Sequence, residues 1–214
     1  SLPAITQPGG LPAPYAFRQR VREALRRAGL REVRLIPFVS DEDLEMVRDD
    51  DAVRVTNPLQ ADEGWLRTRL LPGLLTTARR NVRRHVRSVA VFEVDTVFRM
   101  VDGQPVERPK AAFAMTGNAD PGWASGDRAF DVFDAKGVVE ALMAELGIGW
   151  SLGAPAGRPF HPGRSAVVEA NGERVGVLGE IHPAVAERFD IPGRVGVAEL
   201  EVEVLMRLAR PFVR

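Results

Sequence analysis

The sequence contains no cysteine among its 214 residues. This absence excludes disulfide bonds, cysteine-ligated zinc, iron–sulfur clusters and cysteine nucleophiles, and it fits a protein of a reducing compartment. No apolar run approaches the roughly 18 residues that a membrane-spanning helix needs, and no basic-then-apolar leader opens the chain. We therefore expect a cytoplasmic protein with no membrane partner.

A net charge is lacking as well, because 29 basic and 29 acidic residues cancel. This balance does not support a global attraction to nucleic acid, so any RNA contact requires a local basic patch. All but two of the basic residues are arginines, which we attribute to genome composition rather than to function. With 45% hydrophobic residues, the composition is that of a soluble globular protein with a substantial core.

The start of the chain is rich in proline and glycine, with six such residues between Pro3 and Pro14. This composition is typical of a linker. We assign residues 1–12 to a linker from a preceding domain and residues 13–214 to a single domain. The first residue is Ser1 rather than methionine, which leads us to expect a piece of a longer protein.

The hydrophobic pattern predicts helices mixed with antiparallel hairpins. Helices are predicted over 14–28, from 41 toward 47, and over 63–71, 74–86 and 134–146, the last capped by Asp134. Strands are predicted over 32–39, 53–58, 89–100, 108–116, 166–170 and 174–181, with turns at 102–103 and 171–172; 195–205 is the last regular element. Since no βαβ rhythm recurs, the predicted fold class is α+β, an antiparallel sheet flanked by helices.

Among residues that carry chemistry, His161, Glu180 and His182 form the set most like a metal site. Glu180 and His182 would share one face of a strand, as a common ligand site requires. Each histidine precedes a proline, however, and such a histidine more often closes a turn by hydrogen bonding. We therefore predict no metal site.

Two further charged groups stand out. The segment 79–87 is locally basic and could face a phosphate backbone, but it lacks aromatic residues for stacking on bases. We interpret it as a solvated helix face, with a weaker RNA hypothesis for Arg80, Arg83, Arg84 and Arg87. Three glutamates at 199, 201 and 203 alternate with apolar residues, which suits either a catalytic strand face or a solvent-facing sheet edge.

Four motifs in order resemble one family. They are Leu66-Arg67-Thr68-Arg69-Leu70-Leu71-Pro72-Gly73-Leu74-Leu75, preceded by Asn57-Pro58-Leu59; Phe92-Glu93-Val94; His161-Pro162-Gly163-Arg164-Ser165-Ala166; and Gly176-Val177-Leu178-Gly179-Glu180-Ile181-His182-Pro183. Together they resemble the catalytic-like domain of bacterial phenylalanyl-tRNA synthetase beta subunits. The resemblance runs from about Leu11 to Leu208 and implies a class II aminoacyl-tRNA synthetase fold.

The resemblance also implies a partner. In this family the beta module would pack against a catalytic alpha subunit within an α2β2 heterotetramer, and class II enzymes build such contacts on a long helix followed by a strand. The predicted helix over 14–28 takes that place. Its apolar stripe supplies the expected interface residues, which are Phe17, Val21, Ala24, Leu25 and Ala28, although a core-facing helix needs the same stripe.

The family's nucleotide motif is degenerate here. Class II enzymes hold ATP in part through Gly-x-Gly-x-Glu-Arg, in which the glycines admit the nucleotide and the arginine meets phosphate charge. Glu199 and Glu201 take the glycine places in this sequence, and Val204 takes the arginine place. We therefore expect no catalytic residues and no adenylation by this chain.

The predicted function is that of a non-catalytic structural module in phenylalanine–tRNA ligase, which joins phenylalanine to its tRNA using ATP. The fragment itself needs no cofactor, while ATP and magnesium serve the holoenzyme, which also binds the tRNA. Two alternatives stay open: a metal-assisted hydrolase built on His161, Glu180 and His182, and a free-standing RNA-binding module that uses the basic segment.

Overall fold

The computed structural model describes residues 11–47, 51–58, 64–119 and 128–211. Within these residues the chain forms six helices and eleven strands. The helices are α1 (Ala13–Arg27), α2 (Asp41–Val47), α3 (Leu71–Arg83), α4 (Val132–Leu146), α5 (Pro183–Arg188) and α6 (Val202–Leu208). The strands are β1 (Arg31–Glu32), β2 (Phe38–Val39), β3 (Val53–Arg54), β4 (Trp65–Leu66), β5 (Ser88–Val101), β6 (Gln104–Ala119), β7 (Arg128–Ala129), β8 (Ser151–Leu152), β9 (Phe160–Ala170), β10 (Glu173–Ile181) and β11 (Val195–Glu201).

Most strands join one large sheet with the order β1-β5-β6-β11-β10-β9-β8, and β7 pairs with the end of β6. All of these pairings are antiparallel except that of β1 with β5. A small separate sheet has the order β2-β4-β3. The predicted mixture of helices with a mostly antiparallel sheet is confirmed. None of the helices in the described ranges has both the length and the apolar character required to span a bilayer.

The two predicted hairpins are confirmed at their turns. Asp102 and Gly103 connect β5 to β6 with φ angles of 49° and 76°, and Asn171 and Gly172 connect β9 to β10 with 51° and 75°. Two consecutive positive φ angles match the twist of the flanking strands, and Asn or Asp followed by Gly accepts them at the lowest cost. The two hairpins supply the four longest strands of the sheet.

Side chains alternate between the two faces of the sheet, and each face has its own hydrophobic core. One face, here called the α1/α4/α6 face, buries Phe92, Phe113 and Leu200 of the strands beneath those three helices. The opposite face, here called the α3 face, buries Val91 and Val197 beneath α3 and the segment around α5. The sheet therefore forms the middle of a three-layer arrangement.

The two termini of α4 are fixed by an acidic N-cap and by a glycine, and the sequence predicted the glycine. The N-cap of α4 is Asp131, whose carboxylate accepts hydrogen bonds from the backbone N–H groups of Phe133 and Asp134. Asp134, predicted as the cap, is instead the third residue of the helix and completes a capping box by accepting from the Asp131 N–H. Gly147 ends α4 in the left-handed region at φ 67°, as predicted.

The helix predicted over 63–71 is wrong in the described residues, because Trp65 and Leu66 are extended and pair with both β2 and β3. Helix α3 then begins at Leu71, so Pro72 lies in its first turn, where a missing N–H breaks no intrahelical bond. A Cβ at Gly73 would lie 2.7 Å from Leu35 Cδ1, so a larger residue there would displace the end of the Leu35 side chain. The predicted break between two helices is therefore the start of one.

Several other predicted elements differ in their bounds. The strand expected over 32–39 is interrupted over 33–37, which leaves β1 and β2 in different sheets, and that expected over 53–58 keeps only β3. The element expected over 195–205 changes at Glu201 from strand β11 to helix α6. Helix α3 ends at Arg83 rather than 86, because His85 turns the chain with φ 61°. The short helix α5 was not predicted.

Candidate functional site

Charged side chains cross three adjacent strands of the large sheet on its α3 face. We call this group the charged floor, and its members are Glu93, Asp95, Lys110, Glu199 and Glu201. The pairing register produces it: Glu93 and Glu199 both lie opposite Ala112, whereas Asp95 and Glu201 both lie opposite Lys110. Four carboxylates and one ammonium group therefore share two neighbouring rows of the sheet.

The Glu93 carboxylate is held by Arg67. Arg67 Nη1 lies 3.1 and 3.0 Å from the two carboxylate oxygens of Glu93, and the two side chains are only 5% and 1% exposed. The backbone N–H of Leu35 donates to the same carboxylate at 3.0 Å. Arg67 in turn donates to the Thr96 carbonyl at 3.0 Å and lies 3.5 Å from Asp95. The Glu93 carboxylate and the Arg67 guanidinium are therefore both hydrogen-bonded although both are buried.

Burial has the largest effect on the pKa of Glu93. Removal from water raises the pKa of the Glu93 carboxyl above its ordinary value, although the Leu35 N–H and the Arg67 charge both act to lower it. The neighbouring Asp95 carboxylate adds to the increase. Ionisation of Glu93 thus costs the folded protein free energy.

The Glu199 carboxylate is held by Lys110 and by the start of α3. Lys110 Nζ lies 3.3 Å from Glu199 and 3.1 Å from Glu201. The backbone N–H of Leu70, the N-cap residue of α3, donates to Glu199 at 2.8 Å. A carboxylate at this end of a helix is favoured by the unpaired N–H groups and by the helix dipole. Glu199 therefore fastens α3 to the sheet.

The structure separates the three alternating glutamates of the sequence. Glu199 is 4% exposed and points into the α3 face, so it belongs neither to a solvent-facing edge nor to an open cleft. Glu201, on the same face, is one-third exposed. Glu203 and Val204 lie on α6 rather than on the strand, with Glu203 exposed and Val204 packed against the core. The expectation of a single strand face for 199, 201 and 203 is wrong.

The proposed metal set does not converge. Glu180 is buried and is bound by Arg164 and by the backbone N–H of Val132, at 3.2 Å for the latter. His161 Nδ1 accepts from the Gly163 N–H at 3.1 Å, and His182 Nδ1 accepts from the Ala184 N–H at 3.2 Å. Each histidine thus closes a turn. Across the described ranges no cluster of three or more His, Asp or Glu side chains has the spacing of a metal site.

The basic segment is only partly helical. Arg80 and Arg83 lie on the last turn of α3, whereas Arg84 is its C-cap and Arg87 lies in the loop before β5. All four side chains are exposed. Arg83 forms an ion pair with Asp190 at 2.6 Å, and the other three make no side-chain contact with an acid in the described part of the chain.

The apolar stripe of α1 lies against the chain's own core. Val21, Ala24 and Leu25 are 0%, 6% and 1% exposed, and Phe17 and Ala28 pack beside them on the α1/α4/α6 face. The three buried side chains are covered within the chain itself, whereas Phe17 and Ala28 are half-buried. The assignment of a subunit interface to Val21, Ala24 and Leu25 is therefore corrected, and a contact made by α1 with another subunit requires side chains that remain exposed on the helix.

Sequence reasoning missed Arg67, Glu93 and Lys110 as a functional group. A signal for Glu93 was present, since a single carboxylate interrupts the apolar run Val89–Val94 and must have a partner if that strand is buried. The partner itself was not visible, because Arg67 precedes Glu93 by 26 residues and reaches it only through the fold. Lys110 likewise depends on the register of two hairpin strands.

Comparison with known proteins assigns most of the chain to one family. Residues 1–202 match the family described as Phenylalanyl tRNA synthetase beta chain CLM domain. The chain is 44% identical over 200 residues to the phenylalanine–tRNA ligase beta subunit of Symbiobacterium thermophilum, covering 89% of this chain and 22% of that protein. It is 36% identical over 204 residues to the beta subunit of Novosphingobium aromaticivorans, with coverages of 92% and 26%. The chain spans about a quarter of the length of these curated relatives.

Proposed function

Because the chain belongs to the phenylalanyl-tRNA synthetase beta chain family, we propose that it is the structural, non-catalytic module of a phenylalanine–tRNA ligase beta subunit. In this proposal it adopts a class II synthetase-like scaffold and packs against a catalytic alpha subunit in an α2β2 enzyme of the cytoplasm. That enzyme joins phenylalanine to its tRNA, and ATP and magnesium act at the alpha subunit.

The charged floor is the observation that carries the non-catalytic part of the proposal. It occupies the face of the sheet where the degenerate motif places Glu199 and Glu201. The buried carboxylates there are already engaged by Arg67, Lys110 and two backbone N–H groups. A nucleoside triphosphate would bring further negative charge close to four carboxylates, and Coulomb repulsion between the phosphates and the carboxylates opposes this. The floor does not fit magnesium–ATP, so its role is to hold segments of the chain in place.

Phenylalanine-dependent ATP–pyrophosphate exchange tests this assignment. The complete beta subunit purified without its partner should show no exchange, and addition of the alpha subunit should produce it. In the assembled enzyme, Glu199→Gln should leave the exchange rate within about threefold of wild type, whereas loss of a general acid or base costs about 100-fold or more. Glu140→Gln, on the surface of α4, is the matched control. Exchange by the beta subunit alone would refute the proposal.

The exposed face of α1 is the proposed contact with the alpha subunit. Leu11 and Tyr15 are 64% and 47% exposed, although both are apolar or aromatic. A cleft of about 850 Å³ lies between α1 and α6 and is lined by Ala16, Phe17 and Met206 as well as by charged side chains such as Arg20. Exposed apolar side chains at the start of a helix that lines such a cleft are typical of a surface that another protein covers.

Co-purification with the alpha subunit tests this surface. The double variant Leu11→Glu/Tyr15→Glu should lose the complex, because it places two charges in an apolar contact. The matched control is Ile36→Glu/Phe133→Glu, which changes two equally exposed apolar residues away from the cleft and should keep the complex. Equal behaviour of the two double variants would assign the contact to another surface.

A further inference from the structure

Three exposed arginines lie at the end of α3 and in the loop that follows it, and a fourth lies on α5. We call Arg80, Arg84, Arg87 and Arg188 the arginine edge; in the described part of the chain their side chains form neither ion pairs nor hydrogen bonds. By contrast, Arg67, Arg128 and Arg164 each form an ion pair with a carboxylate. Positive charge that the protein leaves unpaired is available to a partner.

The fold brings this edge together from two parts of the chain. Arg83 joins the end of α3 to the segment after α5 through its ion pair with Asp190, two residues from Arg188. Arg87 directly precedes β5, and Arg194, which lies outside the edge and 3.9 Å from Glu180, directly precedes β11; both strands are neighbours of β6. Those strands start at the same end of the sheet, so the two backbones lie about 10 Å apart.

The backbone that carries the edge is fixed. His85 turns the chain at φ 61° directly after the helix, and the Arg87 carbonyl accepts a hydrogen bond from the Asn118 N–H at 2.8 Å. At Gly117 a Cβ would lie only 2.1 Å from that carbonyl oxygen, so the close approach of β6 to this loop requires glycine. The arginines therefore extend from a positioned support, which reduces the entropy that binding would cost.

The chemistry of the edge selects its ligand. Guanidinium groups bind phosphate oxygens in a bidentate manner, and a row of them matches a repeating phosphate backbone. The aromatic residue within the same surface, Phe189, is 3% exposed and is not available for stacking on bases. We propose that the arginine edge binds the sugar–phosphate backbone of RNA without reading its sequence. The inference rests on the proposed function, under which the enzyme's substrate is a tRNA.

Salt-dependent binding tests the proposal in the assembled enzyme. The variant Arg80→Gln/Arg84→Gln/Arg87→Gln removes three charges and keeps side chains of similar length. Dissociation constants for phenylalanine tRNA are measured from 50 to 300 mM salt. The slope of log affinity against log salt should fall in magnitude by about 2 to 3, and affinity at low salt should fall about tenfold or more. An unrelated tRNA should lose affinity by a similar factor, because phosphate contacts carry no sequence information.

The matched control is Arg31→Gln/Arg108→Gln/Arg174→Gln, which removes three exposed and unpaired arginines elsewhere and changes net charge equally. It should leave both slope and affinity near wild type. Equal effects of the two triple variants, or no effect of either, would overturn the inference. Loss of the alpha subunit by the first variant with an unchanged slope would also overturn it, in favour of an acidic protein partner. If the proposed function itself is wrong, the wild-type protein will form no complex with the alpha subunit, which distinguishes that failure from failure of the RNA inference. In that case the tRNA affinities of the complete beta subunit and its variants still test the inference.

Discussion

The two faces of the large sheet bury side chains of different kinds. On the α1/α4/α6 face, the buried residues of β5, β6 and β11 are apolar, and the buried carboxylate is Glu180 of β10 at the start of α4. On the α3 face, the apolar rows that include Val91 and Val197 give way along the same strands to Glu93 and Glu199. The strands β5, β6 and β11 therefore support an apolar core on one side and a buried ionic network on the other.

The apolar and the ionic side chains contribute to the scaffold in different ways. Apolar burial is non-directional, so the apolar part of the α1/α4/α6 face supplies stability without fixing detailed positions, and Glu180 alone among its buried strand residues binds the start of a helix in the described part of the chain. The ionic network is directional, because Glu93 binds the Leu35 N–H and Glu199 binds the Leu70 N–H. Each carboxylate thereby positions a loop or a helix start against the sheet. The α3 face thus sets the placement of the segment 64–70, which covers it.

The largest effect is expected on the apolar face. Leu25→Asp places a charge where the side chain is 1% exposed, and it should lower the free energy of unfolding by at least about 4 kcal/mol. Tyr15→Asp, on the exposed side of the same helix, should change it by less than about 0.5 kcal/mol. Urea unfolding followed by circular dichroism measures both. Similar values for the two variants would contradict the core position of the α1 stripe.

A smaller but still large effect is expected on the charged face. Arg67→Met leaves the Glu93 carboxylate buried beside an apolar side chain, which should cost about 3 kcal/mol. Adding Glu93→Leu removes the unpaired charge, so the double variant should recover most of that loss, as buried ion pairs often can be replaced by apolar residues. Urea unfolding of the two single variants and the double variant gives the coupling energy.

The same double variant provides the test of positioning. If the ion pair only contributes stability, the double variant should show the same amide hydrogen exchange in the segment 64–70 as wild type. If it places the segment 64–70, amide hydrogen exchange of that segment should increase although global stability is restored. Unchanged exchange there would show that the two faces differ in composition alone.

Local signals in the sequence were sufficient for much of the fold. Helix α1 and its buried stripe, helix α4 with its Gly147 end, and both hairpins follow from periodicity and from turn residues with positive φ. These elements form from contacts between near neighbours in sequence. The antiparallel sheet follows from the hairpins, because each one brings two long strands side by side.

The failures share a cause, which is dependence on distant residues. Trp65 and Leu66 are extended because β2 and β3 pair with them on both sides, which overrides the helical spacing of 63–71. The charged floor needs the register of β5, β6 and β11, and its partner Arg67 arrives from outside those strands. No window of the sequence contains that information. The buried glutamates could be suspected individually, but their partners could not be assigned.

The smallest expected effect is the pH dependence of the free energy of unfolding that the buried Glu93 of the α3 face causes. The pKa of Glu93 is raised in the folded protein, so the folded state binds its proton more tightly than the unfolded state does. The resulting stabilisation is fully present below the unfolded pKa, near 4.5, and is lost as pH rises through the folded pKa. Glu93→Gln cannot ionise, so its free energy of unfolding relative to wild type should increase as pH is raised through this window. Urea unfolding of both proteins between pH 4 and 8 measures the difference, in which contributions common to both, such as the lowered pKa of Asp134, cancel. A difference that is flat, or that favours wild type as pH rises, would mean that Arg67 and the Leu35 N–H outweigh the effect of burial at Glu93.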